Sequence, residues 1–197
     1  MTVAARSRRI PRCDRCGLPG SLCLCADLPR VPTTTELVVL MHKTEIGKSS
    51  NTGRLALAVL ERARRSIRGR EGVAPEIPPA GRRLVLFPMP GARELTPSDA
   101  QAPLVLVVPD GSWSQARRMI DREPWASGAE VVRLPASSRT TRYDLRRQNR
   151  PDALCTFEAI AAALGVLEGW ELERRLLAVL DAFLVRARHV RTAGGEI

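Results

Sequence analysis

The sequence predicts an α/β fold around a mainly parallel β-sheet, and two patterns indicate it. Residues 104–108 are a run of Leu and Val without polar alternation, which is typical of a strand covered on both faces in a parallel sheet. Segments of this kind alternate along the chain with stretches of helical periodicity, as in layered α/β proteins. We expect one main domain, because 197 residues are enough for a single sizeable core.

The predicted elements follow one another in a simple order. The first strand covers Glu36–His42, and a polar turn leads into a helix over residues 52–66, in which Leu55, Val59 and Ala63 recur at a spacing of four. Proline or a polar turn bounds each further predicted strand, at residues 84–87, 104–108 and 130–134. Apolar periodicity predicts the other helices, at residues 112–122, 156–167 and 171–190. Loops are predicted at residues 69–82, 89–103 and 136–154.

Charge and hydropathy restrict the partners and the location. The chain has 31 basic and 21 acidic residues, a net charge of +10, which favours a polyanionic partner such as nucleic acid. The basic segment 1–12 precedes no apolar stretch of signal-peptide length, and the longest apolar run is too short to span a bilayer. We therefore expect a cytoplasmic protein with no membrane partner.

A cluster of cysteines near the amino terminus predicts a metal knuckle. Four of the five cysteines of the chain fall close together, at Cys13, Cys16, Cys23 and Cys25. Clustered thiols in a cytosolic chain favour metal binding over dispersed disulfides, and four thiolates suit tetrahedral zinc. The alternative is a reduced cysteine-rich loop. The predicted organisation is a basic flexible segment 1–12, a knuckle 13–30, a catalytic domain 31–192 and a tail 193–197.

The corner Asp110-Gly111-Ser112-Trp113 stands where the central predicted strand ends. Gly111 permits a sharp turn and Ser112 can cap the following helix, while Trp113 offers a flat apolar wall. A carboxylate at the carboxyl end of such a strand faces the crevice in which α/β sheets bind ligands. Two interpretations of Asp110 stay open from spacing alone: a helix cap and a residue that carries chemistry.

Two polar segments predict contacts with RNA phosphates. The loop 137–150 is rich in arginine and contains Tyr143, which could stack on an unpaired base. The segment 42–54 places lysines, hydroxyls and an amide before a helix, an arrangement suited to phosphate or carboxylate groups. The predicted RNA-binding residues are Lys43, Lys48, Arg54, Arg139, Arg142, Arg146, Arg147 and Arg150.

An ordered series of short motifs runs from Cys13 to the last helix. Asp110-Gly111-Ser112-Trp113 is followed by Gln115, Ala116 and Met119. The other members of the series are the four clustered cysteines, Ser50-Asn51-Thr52-Gly53, Phe87-Pro88, Arg133-Leu134-Pro135 and Cys155-Thr156-Phe157-Glu158-Ala159. In this series the chain resembles the DTW-domain family, the tRNA-uridine aminocarboxypropyltransferases, whose signature is D-x-[TS]-W. The family usually has Thr where Ser112 stands and often Ser where Cys155 stands.

The resemblance implies transfer of the 3-amino-3-carboxypropyl group of S-adenosylmethionine to N3 of a tRNA uridine, with release of methylthioadenosine. It also implies a SPOUT-like layered fold whose knotted C-terminal region forms the cosubstrate pocket, with zinc in a structural role. The catalytic residues would be Asp110, Ser112 and Trp113, with Asp110 as the base for the N3 proton or as a group that orients the cosubstrate. The residues expected to bind the cosubstrate are Ser49, Thr52, Phe87, Pro88, Asp110, Gly111, Trp113, Leu134, Thr156 and Glu158.

Two other functions compete with this interpretation. A SPOUT-type RNA methyltransferase would use the same cosubstrate and release adenosylhomocysteine. A zinc-knuckle RNA-binding protein without activity would bind tRNA and would tolerate Asp110→Asn. We expect a monomer with no obligate protein partner.

Overall fold

The computed structural model describes residues 11–69, 80–123, 129–136, 140–145 and 153–192. Within these ranges the strands are β1 (Glu36–His42), β2 (Ala63–Arg68), β3 (Arg82–Leu86), β4 (Arg93–Glu94), β5 (Leu104–Asp110) and β6 (Glu130–Arg133). The helices of the same ranges are α1 (Gly53–Val59), α2 (Trp113–Arg122), α3 (Thr156–Glu168) and α4 (Trp170–Thr192). All strand pairs are parallel, in the order β2-β1-β5-β3-β6-β4. The predicted α/β fold with a mainly parallel sheet is confirmed.

Helices cover both faces of the sheet. Alternate residues of a strand point to opposite faces. In β1, Leu37 and Val39 therefore pack in one core cluster with α1, α3 and α4, whereas Val38 and Leu40 pack against α2 in the other. Burial on both faces explains why β5 reads as an uninterrupted apolar run.

One predicted helix is wrong in extent. The helix predicted over residues 52–66 ends at Val59, and Leu60 is extended with ψ 130°. Residues Ala63–Arg68 form the edge strand β2 instead, parallel to β1. The spacing of Leu55, Val59 and Ala63 suggested a longer helix, but hydrogen bonding to β1 determines the structure of this polar segment.

The cysteine knuckle packs directly on the main core. Cys16, Leu18 and Leu24 are at most 2% exposed and belong to the same apolar cluster as β1, α1 and α4. Gly17 adopts φ +79°, a conformation that glycine accepts without steric cost. Arg186 of α4 donates to the carbonyl oxygen of Cys23 at 2.6 Å. The knuckle is thereby fixed against the last helix.

The direction of the connections creates a crevice at the carboxyl edge of the sheet. From β1 the chain passes through α1 to β2 on one side, whereas from β5 it passes through α2 towards β6 on the other. Ligands of open α/β sheets bind where neighbouring strands lead in opposite directions. None of the helices in the described ranges is long and apolar enough to cross a membrane.

Candidate active site

A cavity of about 460 Å³ lies at the carboxyl ends of β5, β3 and β6. Its walls come from these strand ends, from the connection between β1 and α1, and from the start of α3. The lining residues include Ser50, Asn51, Thr52, Leu86, Phe87, Pro88, Asp110, Gly111, Trp113, Ala116, Arg133, Leu134, Pro135, Tyr143, Cys155, Thr156 and Ala159. The volume is in the ordinary range for a small-molecule site.

Asp110 is the acidic residue that lines this cavity, and it is 4% exposed. Its Oδ2 accepts a hydrogen bond from Nδ2 of Asn51 at 2.5 Å, and its Oδ1 accepts one from Oγ1 of Thr156 at 2.6 Å. A Cβ atom at Gly53 would lie 2.9 Å from Oδ2, so only glycine leaves room for the carboxylate there. Two separate elements, the connection between β1 and α1 and the start of α3, thus hold the carboxylate in one position.

The connection between β1 and α1 is a run of buried polar residues. Ser49, Ser50, Asn51 and Thr52 are at most 7% exposed. Oδ1 of Asn51 accepts a hydrogen bond from the backbone N–H of Arg54, in the first turn of α1, at 3.1 Å, so this side chain contacts both α1 and Asp110. Oγ1 of Thr52 accepts from the N–H of Phe157 at 3.3 Å. The connection is therefore joined to the start of α3.

Aromatic rings form one wall of the cavity. The ring centroids of Phe87 and Trp113 are 5.4 Å apart with an interplanar angle of 48°, a favourable tilted arrangement. Trp113 is 41% exposed although it lines the cavity. Ser112 caps α2: its Oγ accepts from the N–H of Gln115 at 3.3 Å, and Oε1 of Gln115 accepts from the N–H of Ser112 at 2.9 Å. This reciprocal pair fixes the turn that presents Trp113.

Glu158 joins the start of α3 to the segment 140–145. Its Oε2 accepts from the N–H of Cys155 at 2.8 Å and from Oγ1 of Thr141 at 2.7 Å, and its Oε1 accepts from the N–H of Arg142 at 2.6 Å. The hydroxyl of Tyr143 then donates to the carbonyl oxygen of Ser50 at 2.5 Å. Tyr143 lines the cavity and is 5% exposed. Its ring is therefore not available on the surface to stack on an RNA base, contrary to the expectation from sequence.

The four clustered cysteines are arranged as metal ligands. Their sulfur atoms all lie within 4.8 Å of one another; Cys13 and Cys25 are 3.6 Å apart, and Cys16 and Cys23 are 3.8 Å apart. Hydrogen bonds, of which the one from the backbone N–H of Cys16 has the largest effect, lower the pKa of Cys13 to about 6. Burial raises the pKa of Cys16 and of Cys25. These four residues could hold a metal ion.

Comparison with known proteins identifies the family. Residues 10–188 match the family model described as the DTW domain. The chain belongs to the DTW domain family. The corner Asp110-Gly111-Ser112-Trp113, in which the sequence resembles that family, contributes Asp110, Gly111 and Trp113 to the walls of the cavity.

Relatives of this DTW domain carry a consistent name. The chain is 31% identical over 207 residues to tRNA-uridine aminocarboxypropyltransferase A of Arabidopsis thaliana, a match that covers 85% of the chain and 77% of that protein. It is 30% identical over 174 residues to tRNA-uridine aminocarboxypropyltransferase 2 of Macaca fascicularis and of Mus musculus, covering 82% of the chain and 58% of each relative. The chain thus spans little more than half of those two proteins. No solved structure matches the chain.

Most of the residues expected at the cosubstrate site of the DTW domain converge on the cavity. The lining residues among them are Thr52, Phe87, Pro88, Asp110, Gly111, Trp113, Leu134 and Thr156. Two of the residues expected to bind the cosubstrate, Ser49 and Glu158, are not among the lining residues. The same holds for Ser112, which was expected to be catalytic; Ser112 and Glu158 instead make the capping contacts described above. Asn51 was missed as a site residue by the sequence prediction. The signal for it was its place between Ser50 and Thr52, before a helix.

The predicted RNA-binding residues of the DTW domain differ from one another in their exposure and in their polar partners. Lys43 is exposed, and Nζ of Lys48 forms an ion pair with Glu45 at 2.5 Å. Arg54 is half-buried, and its Nη2 donates to the carbonyl oxygens of Ile46 and Lys48 at 2.7 and 3.0 Å. Nη1 of Arg142 pairs with Asp181 at 2.6 Å. Four of the predicted arginines lie outside the described residues: Arg139, Arg146, Arg147 and Arg150.

Proposed function

We propose that this DTW domain transfers the 3-amino-3-carboxypropyl group of S-adenosylmethionine to N3 of a uridine in tRNA and releases methylthioadenosine. The observation that carries the proposal is the buried, doubly hydrogen-bonded carboxylate of Asp110 beside the aromatic wall of the cavity. The names of the relatives supply the substrate and the transferred group for those proteins.

The cavity has the chemical character that the cosubstrate needs. S-adenosylmethionine combines a flat adenine ring and a ribose with a sulfonium cation and an amino-acid group. Phe87, Pro88, Trp113 and Leu134 offer apolar surface for the adenine and for the carbon atoms bonded to the sulfur. Asp110 offers negative charge for the sulfonium or the amino group. Thr52 and Ser50 offer hydroxyls at the same cavity.

The proposed reaction needs positioning and one proton acceptor. The bound cosubstrate supplies an electrophilic carbon with a neutral thioether as leaving group. A bond forms between uridine N3 and that carbon, the carbon–sulfur bond breaks with its electron pair on sulfur, and the N3 proton leaves to a base. The chain contributes alignment of the reacting atoms and general-base help, which accelerates reactions about 100- to 10,000-fold.

Asp110 is the proposed acceptor of that proton or the group that orients the cosubstrate. Asn51 and Thr156 each donate to a different oxygen of this carboxylate, so the carboxylate does not need to reorganise when substrate arrives. Ser112 acts indirectly, because its cap fixes the turn that presents Trp113. Glu158 likewise acts through the backbone of residues that border the cavity. The SPOUT-like knotted arrangement of the C-terminal region also belongs to this proposal and is supported by the family resemblance.

The proposed metal of the knuckle is a structural zinc ion. Tetrahedral zinc with bonds of about 2.3 Å to sulfur separates the sulfur atoms by about 3.8 Å, close to the 3.6 and 3.8 Å distances of the two closest cysteine pairs. The four residues that would hold it are Cys13, Cys16, Cys23 and Cys25. With four thiolates the ion has no open position for substrate, so its contribution is to hold the knuckle against α4.

One incubation tests the proposal against its competitors. The protein is mixed with unmodified tRNA and with cosubstrate labelled either in the carboxypropyl group or in the methyl group, and the nucleosides are analysed by mass spectrometry. We expect carboxypropyl label in a uridine, methylthioadenosine as coproduct, and loss of both with Asp110→Asn. Methyl label with adenosylhomocysteine would assign a methyltransferase. Binding of tRNA with no modified nucleoside in a complete tRNA pool would assign a non-catalytic RNA-binding protein.

A further inference from the structure

The start of α2 and the end of β1 form one continuous surface beside the cavity. Met41 is paired with Asp110 in the register of β1 and β5, so His42 and Lys43 come level with the turn that follows Asp110. A Cβ atom at Gly111 would lie 3.4 Å from Cβ of His42. Nε2 of Gln115 in α2 donates to Oγ1 of Thr44 at 3.3 Å. The two elements therefore contact each other at the edge of the site.

Two exposed cations lie on this surface. Lys43 follows β1 directly, and Arg118 lies one helical turn after Gln115, on the same side of α2. Burial has the largest effect on the pKa of His42 and lowers it. The positive charges of Lys43 and Arg118 lower it further, which agrees with a position of both cations near His42. Among the described residues neither forms an ion pair, whereas Arg117 of the same helix pairs with Asp121 at 3.4 Å.

Trp113 borders the cavity on the first turn of the same helix and is 41% exposed. A partner that reaches Asp110 from the side of α2 therefore passes this exposed aromatic ring. Bases stack on exposed aromatic rings, and arginine and lysine pair with phosphate.

We propose that Lys43 and Arg118 form a docking surface for the phosphate backbone of an RNA whose target base enters the cavity past Trp113. The proposal rests on the proposed function for the identity of the partner as RNA. It adds Arg118 to the RNA-contacting residues, and it locates the entrance on the α2 side of the site.

The test is direct binding of labelled tRNA to the full chain, measured by fluorescence anisotropy at several salt concentrations. The variants are Lys43→Ala, Arg118→Ala and the double variant. Arg175→Ala is the matched control, because Arg175 is also an exposed helical arginine but lies on α4, across the sheet. We expect the double variant to weaken binding by about tenfold or more and to reduce the slope of log affinity against log salt by about two. Arg175→Ala should match the parent chain.

The outcomes separate this inference from the proposed function. If the parent chain binds and modifies tRNA while the double variant binds as tightly as Arg175→Ala, the docking surface is wrong and the function stands. If polyglutamate displaces tRNA as effectively as unlabelled tRNA of equal charge, the surface is a general anion site and the inference is overturned. If the parent chain binds no tRNA, the docking surface and the proposed function both fail. Unchanged affinity for S-adenosylmethionine and an unchanged melting temperature are expected in all variants.

Discussion

Asn51 donates a hydrogen bond from Nδ2 to Oδ2 of Asp110 at 2.5 Å, across 59 positions of the chain. The same side chain accepts the N–H of Arg54 through Oδ1, so one amide links the start of α1 to the end of β5. Both residues are buried, with 2% and 4% exposure. An amide is suited to this place because it offers a donor on one side and an acceptor on the other.

Asn51→Asp should reduce activity strongly. Aspartate retains an acceptor for the N–H of Arg54, but it removes the donor and places a second carboxylate against Asp110, and two carboxylates this close do not both ionise readily. We expect at least about a tenfold loss of kcat and a lower melting temperature. Transfer assays and thermal unfolding measure the two effects. Wild-type kcat in Asn51→Asp would show that the bond to Asp110 does not matter for the reaction.

Thr156→Val and Thr156→Ser form a matched pair for the second hydrogen bond to Asp110. Serine retains the hydroxyl that donates to Oδ1, whereas valine keeps the shape and removes the donor. Thr156→Val should lower kcat about tenfold, because hydrogen bonds to charged groups contribute about 1.5–3 kcal/mol. Thr156→Ser should retain most of the parent kcat. The KM for S-adenosylmethionine should change less than kcat. Equal activity in the two variants would contradict this role.

Trp113→Ala should weaken cosubstrate binding. The substitution removes the aromatic wall that packs against Phe87 at 5.4 Å, and such a pair contributes about 0.5–1.5 kcal/mol beyond the area it buries. We expect the Kd for S-adenosylmethionine, measured by calorimetry, to rise about tenfold. Trp170→Ala is the control, because Trp170 is 72% exposed at the start of α4 and does not line the cavity. A similar effect of both substitutions would argue against a site at Trp113.

Removal of the metal should destabilise the amino-terminal part of the chain. The knuckle contributes Cys16, Leu18 and Leu24 to the main core, and metal binding by such sites is coupled to folding. Elemental analysis should give one zinc ion per chain, and a chelator should lower the melting temperature. Cys13→Ser should lose the zinc. Cys155→Ser should keep it, since Cys155 is buried at the start of α3; its loss of zinc would disprove the assigned ligand set.

Acid should destabilise the chain partly through Asp99. Hydrogen bonds from Arg93 hold the pKa of Asp99 well below its ordinary value of 3.8, and Thr96 and Arg82 act in the same direction. A group whose pKa is lower in the folded state contributes stability above its unfolded pKa, and this contribution is lost as the pH falls from about 4 towards the folded value.

Asp99→Asn should therefore lower the free energy of unfolding at pH 6 by roughly 1–2 kcal/mol, a modest value because the arginine partners are more than a third exposed. Urea titrations at pH 6 and pH 3 measure this, and the variant should lose less stability on acidification than the parent chain. Asp121→Asn, in an exposed ion pair with Arg117, is the control. Equal acid sensitivity of Asp99→Asn and the parent would contradict the assignment.

The local sequence determined much of this architecture. The predicted bounds of β1 agree with the structure, and the predicted starts of β5, β6 and α3 agree as well, because burial on one or two faces leaves a periodic apolar pattern. The cysteine spacing and the corner at Asp110 likewise follow from adjacent residues.

The tertiary structure alone decided the features that depend on contacts between distant residues. The polar segment that forms β2 carries no strand pattern, and its pairing with β1 replaces the helix that its spacing suggested. Asn51 and Thr156 both contact Asp110, although they lie 59 and 46 positions away in the chain. Tyr143 is buried, and its hydroxyl donates to the carbonyl oxygen of Ser50. The periodicity of apolar residues predicts which side chains are buried. The hydrogen-bond partners of buried polar groups depend instead on which strands and loops the fold brings together.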